Sequence, residues 1–284
     1  MSEYSNPNVL VSTAWVEQNK KNESVRIVEV DVDTKAYEEG HVEGAVGWNW
    51  QSQLCDTIRR DVIPKDQLEK LLDSSGIDNK TAIILYGDNN NWFACWAFWQ
   101  LKIFGHNDVR IMNGGRKKWI AESRPLTKDV LTSQPKAYRA SAADLSIRAF
   151  LHQTMDAHNK KAQWALVDVR SPDEYTGKIL SPPGLPETCQ RGGHIPGALS
   201  IPWGKNCNDD GTFKLADELK QLYQPLGVTP EKNVIAYCRI GERSSLSWFV
   251  LKYLLGYQRV MNYDGSWTEW GNLVNAPVAK GEQA

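Results

Sequence analysis

Between Tyr237 and Leu246 the chain reads Cys238-Arg239-Ile240-Gly241-Glu242-Arg243-Ser244-Ser245, which puts a thiol, two guanidinium groups and two hydroxyls in eight consecutive residues. A cysteine in a turn that opens into a helix faces free backbone N–H groups and the positive end of the helix dipole. Both favour thiolate over thiol. With Arg239 and Arg243 close by, such surroundings can bring a cysteine pKa from about 8.5 into a range of roughly 3.5 to 7.5. The same donors would hold an anion, so the expected chemistry is binding of an anionic substrate followed by attack of sulfur upon it. A free cysteine is more often a small buried apolar residue. That reading explains the thiol but not the two arginines, whereas it suffices for Cys55, Cys95, Cys189 and Cys207, none of which sits in a comparable turn. Glu242 would raise the pKa of the thiol if it pointed inward, so it is expected to point outward or to pair with an arginine.

The elements that must hold this turn recur along the chain. Gly40-His41-Val42-Glu43-Gly44-Ala45 matches Gly193-His194-Ile195-Pro196-Gly197-Ala198 at an offset of 153. Ile83-Ile84-Leu85-Tyr86 matches Val234-Ile235-Ala236-Tyr237, Asn113-Gly114-Gly115 matches Asp264-Gly265-Ser266, and Trp119 matches Trp270, all at 151. Collinear matches at the length of a domain indicate a duplicated domain rather than a solenoid. Strand-like and helix-like segments alternate in each copy: strands near 9–11, 25–32, 82–86 and 109–111 with helices from Thr13 and at 92–104 and 116–122, then 165–169, 234–237, 244–255 and 267–273. This alternation predicts an α/β protein with parallel sheets covered by helices on both faces. The turn after 234–237 then lies at the carboxyl edge of its sheet, where ligands bind in such folds. Its counterpart in the first copy is Gly87-Asp88-Asn89-Asn90-Asn91, which has no nucleophile. The domains are read as 1–125 and 146–284, with a Ser-, Thr- and Pro-rich linker at 126–145.

Composition narrows the function. Of the 284 residues, 41% are hydrophobic and 24% charged, which excludes disordered and fibrous classes. A net charge of −1 excludes the broad electrostatic footprint of a nucleic-acid or anionic-membrane binder, so an anion site must be local. The longest apolar run, 92–99, is far short of the roughly 20 residues of a membrane span, and the N-terminus lacks a basic start followed by an apolar segment. A cytoplasmic protein is expected. Five cysteines without close pairs fit free thiols in a reducing compartment.

These residues resemble the tandem-domain sulfurtransferases called rhodaneses, most closely the thiosulfate sulfurtransferase branch. The marks are Gly193 to Ala198 after the strand Leu166-Val167-Asp168-Val169-Arg170, the loop Cys238 to Arg243, and Tyr263-Asp264-Gly265-Ser266-Trp267-Thr268-Glu269-Trp270. The resemblance spans nearly the whole chain. It implies two tandem rhodanese-like domains, each a five-stranded parallel sheet flanked by helices. The active site would lie in the C-terminal domain at the domain interface, and the N-terminal copy would lack the cysteine, as Gly87 opposite Cys238 agrees. It further implies that the Cys238 thiolate takes the sulfane sulfur of thiosulfate as a persulfide, releases sulfite, and passes the sulfur to cyanide or a thiol acceptor. The amides of Ile240, Gly241 and Glu242 would stabilise the persulfide, and Arg243, Arg170 and Arg239 would bind substrate. No metal or organic cofactor is needed, and a monomer without nucleic-acid or membrane partners is expected.

The chain departs from that pattern in two places. Ile240 stands where thiosulfate enzymes of the family carry a basic residue, a charge Arg243 would supply. The stretch 177–192 is longer than its counterpart Glu38-Glu39-Gly40, has Gln190 in place of an aromatic residue, and reads as an inserted surface loop carrying Cys189. His41, His194 and most tryptophans recur in both copies, so structural roles are expected for them, and Asp168 is expected to orient its neighbours. Three other functions use the same residues. A 3-mercaptopyruvate sulfurtransferase typically has small neutral residues after the cysteine, whereas Arg239 and Arg243 favour a dianion. A persulfide-carrier module feeding a partner protein would have the same loop. A cysteine phosphatase needs five residues between Cys and Arg, and here there are four.

Overall fold

The computed structural model describes residues 3–183 and 189–282. Strand and helix alternate as expected, and the result is two five-stranded parallel sheets of one topology. The first sheet runs in the order Leu10–Val11, Val109–Met112, Ala82–Tyr86, Val25–Glu29, Ala45–Gly47. The second runs Arg148–Ala149, Val260–Tyr263, Asn233–Tyr237, Trp164–Asp168, Leu199–Ser200. Every residue of the central strand Ala82–Tyr86 is buried, and so are four of five in Asn233–Tyr237. A strand covered on both faces must be apolar throughout, which is why these two runs show no alternation. The short edge strands Ala45–Gly47 and Leu199–Ser200 carry too few residues for a periodic signal.

By its contacts the chain divides into two units, residues 7–144 with 207–213, and residues 3–6 with 145–206 and 214–282. The segment 126–145, linker-like in composition, is tied along the first unit: Thr127 bridges His41, the Tyr138 N–H donates to Asp73 Oδ1 at 2.5 Å, and the Tyr138 ring is fully buried. The second unit repeats the device, with Ala279 bridging His194. Both histidines stack on a tyrosine of their own unit, His41 on Tyr37 at 3.8 Å and His194 on Tyr175 at 3.6 Å. Trp99, Trp119, Trp248, Trp267 and Trp270 are buried, and Trp50, Trp92 and Trp203 half-buried. Among the described residues no helix is long and apolar enough to cross a membrane.

The middle of the expected surface insertion, residues 184–188, lies outside the described residues. Its far end corrects the expectation of a surface loop. Cys189 is buried in the core of the second unit with Ile195, Trp267 and Trp270. The Arg191 guanidinium donates to the carbonyls of Gly271, Ala276, Trp270 and Leu273 at 2.6 to 3.0 Å. These carbonyls belong to the end of the helix Ser266–Trp270 and the turn after it, where backbone acceptors lack helical partners. Arg191→Ala should therefore lower the stability of the protein by about 2–4 kcal/mol, the range for losing several coupled hydrogen bonds to a cation. Denaturant titration checks it against Lys178→Ala, which removes only an exposed pair with Asp173 and should change stability by no more than about 1 kcal/mol.

Candidate active site

Cys238 is the first residue beyond the central strand Asn233–Tyr237, and the helix Glu242–Phe249 begins four positions later. Gly241 closes the loop at φ +95°, a conformation glycine enters without a Cβ clash. The loop is pinned from two neighbouring elements. From the strand Val260–Tyr263, Asn262 Nδ2 donates to the Gly241 carbonyl at 3.0 Å and its Oδ1 accepts from Ser244 Oγ at 2.6 Å. From the helix Ser266–Trp270 beyond it, the Trp267 N–H donates to the Cys238 carbonyl at 3.1 Å and Thr268 donates twice to that of Arg239. The Cys238 N–H donates to Ser266 Oγ at 3.1 Å, and that hydroxyl donates to the Tyr263 carbonyl. Ser266 holds φ +52°, close to the +56° of Gly115 at the same place in the first copy. The second copy thus accepts backbone strain to set a hydroxyl beneath the cysteine.

The electrostatics run against the expected acidity of the thiol, and they meet the expectation that Glu242 pairs with an arginine, although from an inward position. Glu242 points inward: its Oε2 lies 3.2 Å from Cys238 Sγ, which donates to it, and accepts the Ile240 N–H at 3.2 Å. Its approach to the arginines is longer, 3.7 Å from Arg239 Nη2 and 4.0 Å from Arg243 Nε. Of the three amides assigned to the cradle, that of Gly241 donates to Sγ at 3.2 Å, while that of Ile240 is turned to the carboxylate. Burial, and after it the Glu242 charge, push the Cys238 thiol up, and Arg243 and the Ser244 N–H oppose this without reversing it. The shift is upward, opposite to the depression expected for this loop.

The arginines do not overturn this because each is matched by a carboxylate. Arg243 makes two 2.9 Å hydrogen bonds to Glu174, the third residue of the helix Pro172–Thr176 and one half of a capping box with Ser171. Burial alone would raise the Glu174 carboxyl, but Arg243 holds it below the usual carboxylate range. Arg170 is paired with Asp168 at 2.6 Å, donates to the Gly193 carbonyl at 2.7 Å, and lies 4.5 Å above the centre of the Trp267 ring. The structure therefore gathers Cys238, Arg239, Ile240, Gly241, Glu242 and Arg243 in one loop and connects Arg170 to it through Trp267. Two buried donors, Arg170 Nη1 and Arg243 Nε, have no hydrogen-bond partner among the described residues. Glu174, Asn262 and Ser266 belong to this arrangement and were not singled out from the sequence. The pattern Ser171-Pro172-Asp173-Glu174 marks a helix start, but nothing local in it points to an arginine 69 positions away.

The model of the rhodanese-like domain matches residues 12–122 and again residues 151–273. The chain belongs to the tandem-domain rhodanese family. It is 53% identical to the sulfur carrier protein TtuD of Thermus thermophilus over 99% of both chains. It is equally 53% identical, over 96% of both chains, to a Haloferax volcanii protein that bears the name "Putative thiosulfate sulfurtransferase". Among solved structures it is similar to an anaerobic ergothioneine biosynthesis enzyme from Chlorobium limicola, with a TM-score of 0.85 and 25% identity over 99% of this chain and 72% of that one.

The first rhodanese domain shows what its twin lacks. Glu29 and Asp168 are both last in their strands and pair in register with Tyr86 and Tyr237. Glu29 meets Arg116, which occupies the place of Trp267, and Asp31 stands where the second domain has Arg170. A Cβ at Gly87 would lie 2.1 Å from the Val30 carbonyl oxygen, so the first domain has no room for a cysteine there. Asn91, at the position of Glu242, folds its amide back onto the Gly87 N–H at 3.0 Å. Burial, and next the Glu29 charge, push Asp31 up to about 9. Its folded pKa exceeds its unfolded value, so between the two the folded chain keeps a proton the unfolded chain has released, and stability falls as pH rises. Asp31→Asn removes that penalty while keeping an acceptor for the Asp88 N–H. The variant should melt at a higher temperature than the wild type near pH 8, and the gain should shrink toward pH 4.

Proposed function

We propose that the protein is a thiosulfate sulfurtransferase whose nucleophile is Cys238. The observation that carries this reading is that Cys238 alone among the five cysteines stands in the loop at the carboxyl edge of a parallel sheet, where the Gly241 amide donates to its sulfur and the Arg243 charge acts on it. The free N–H groups of Arg170 and Arg243 suit the oxygens of a sulfonate, and recognition rests on them rather than on net charge, because every site arginine has its carboxylate. After loss of the thiol proton, Sγ attacks the outer sulfur of thiosulfate. The new Sγ–S bond forms as the S–S bond of thiosulfate breaks, and that bond's electron pair leaves with sulfite. Cyanide or a thiol then takes the outer sulfur, and the pair of the Sγ–S bond returns to Cys238.

Two findings favour a second reading, a persulfide carrier that feeds a protein acceptor. One is the relative named as a sulfur carrier. The other is the balanced charge of the cradle, which removes the argument from a cationic loop against donors other than a dianion. Thiosulfate:cyanide transfer by the wild type should be measured beside Cys238→Ala, which should reduce turnover to the uncatalysed rate. Turnover that survives in the variant overturns the assignment. Arg243→Lys cannot reproduce the two-pronged contact and should raise KM for thiosulfate about tenfold, the value of one charge-assisted hydrogen bond. A Cys238 persulfide that small acceptors fail to discharge and a protein acceptor does would establish the carrier.

A further inference from the structure

Beyond the identity of the nucleophile, the loop holds an anion of its own. Glu242 Oε2 accepts hydrogen bonds from Cys238 Sγ and the Ile240 N–H, both at 3.2 Å, and Oε1 faces Arg239 and Arg243 at 3.7 and 4.0 Å. An amide, a thiol and two guanidinium groups around one carboxylate are the donor set an incoming sulfonate or persulfide anion would use. The side chain is only 2% exposed, so it is a component of the cradle and not a solvated residue of the helix. The other buried carboxylates nearby are committed elsewhere, Asp168 to Arg170 and Glu174 to Arg243. We infer that Glu242 is a built-in occupant of the anion cradle, which an anionic sulfur donor must displace and which holds Cys238 as an unreactive thiol until it does. This rests on the reading of Cys238 as the nucleophile and adds a residue that sets its reactivity and its affinity for anions.

The carboxylate takes the Ile240 N–H that an incoming anion would use, and replacement by glutamine keeps its shape while removing the charge. Without that charge, the carboxylate nearest the sulfur is gone and Arg239 loses its partner, while Arg243 keeps Glu174, and the cradle is easier for another anion to enter. Glu242→Gln and Glu242→Ala should be compared with the wild type by the rate at which iodoacetamide, an uncharged reagent, alkylates Cys238 at neutral pH. The concentration of sulfate that protects the thiol should be measured in the same assay. A shift of one unit in thiol acidity changes the thiolate fraction about tenfold. Alkylation should accordingly be at least about tenfold faster in both variants, and sulfate should protect them at a concentration lower by a similar factor. Alkylation that is unchanged or slower, or sulfate protection equal to that of the wild type, overturns the inference. Neither measurement depends on sulfur transfer, so a wild type that does not turn over thiosulfate would end the proposed activity and leave this test intact.

Discussion

Three guanidinium groups are buried at one end of the second sheet, and an ion withdrawn from water without a partner costs several kcal/mol. Arg170, Arg239 and Arg243 can occupy this end of the second sheet only because Asp168, Glu242 and Glu174 are beside them. The rest of the site follows from that pairing. Asp168 has to be the last residue of its strand so that its carboxylate can turn back to Arg170. Glu174 has to lie in the first turn of the helix Pro172–Thr176, where the capping box with Ser171 holds its side chain toward Arg243. Gly193, from the segment Gly193 to Ala198 that recurs in both copies, offers its carbonyl to the remaining face of Arg170. Each carboxylate comes from a different element, so the pairs tie a strand end, a helix start and the cysteine loop to one geometry.

The first domain shows that such a set is retained or replaced as a whole. It keeps a carboxylate at the strand end, Glu29, and a guanidinium against it, but that cation comes from the position where the second domain has Trp267. With the cation moved, the place of Arg170 takes a carboxyl, Asp31, which burial holds protonated to high pH. The loop has closed in parallel: three successive asparagines, Asn89 to Asn91, adopt positive φ, and Gly87 touches the Val30 carbonyl where a side chain would have to go. Restoring a cysteine to such a loop would restore neither the space nor the donors. Loss of the nucleophile in this copy is therefore repacking of a charge network, of which the missing thiol is one part.

Much of this could be read from residue order. Apolar runs separated by helix-length segments locate both sheets, and matches at 151 and 153 positions locate the duplication and align Cys238 with Gly87. What local sequence cannot carry is which way a side chain turns and what meets it there. Glu242 follows the loop in a pattern that fits an outward helical residue equally well, and its inward rotamer depends on Ile240 N–H and Cys238 Sγ being within reach once the loop is folded. Arg239 and Arg243 stand beside the thiol as their spacing indicates, but the carboxylate that neutralises Arg243, Glu174, lies 69 positions away in the chain and leaves no local signal. The segment 126–145 has the composition of a linker, and contacts remote in sequence, from Thr127 to His41 and from Tyr138 to Asp73, show where its backbone is held.

Magnitudes explain why the Cys238 thiol is pushed up rather than down. A helix N-terminus stabilises a nearby anion by about 0.3–1 kcal/mol, and by about 2 kcal/mol in favourable buried geometry. One hydrogen bond from the Gly241 amide contributes on a similar scale. Burying an anion costs several kcal/mol before any partner is counted, and Cys238 is fully buried with a carboxylate at hydrogen-bond distance. The favourable contributions are the smaller ones while Arg239 and Arg243 are already neutralised. Moving the carboxylate away would remove the second largest cause of the upward shift and leave the amide, the helix and Arg239 favouring the anion against burial alone. A cradle of this kind is complementary to the charge present during sulfur transfer rather than to the empty site, which is the condition under which binding energy accelerates a reaction.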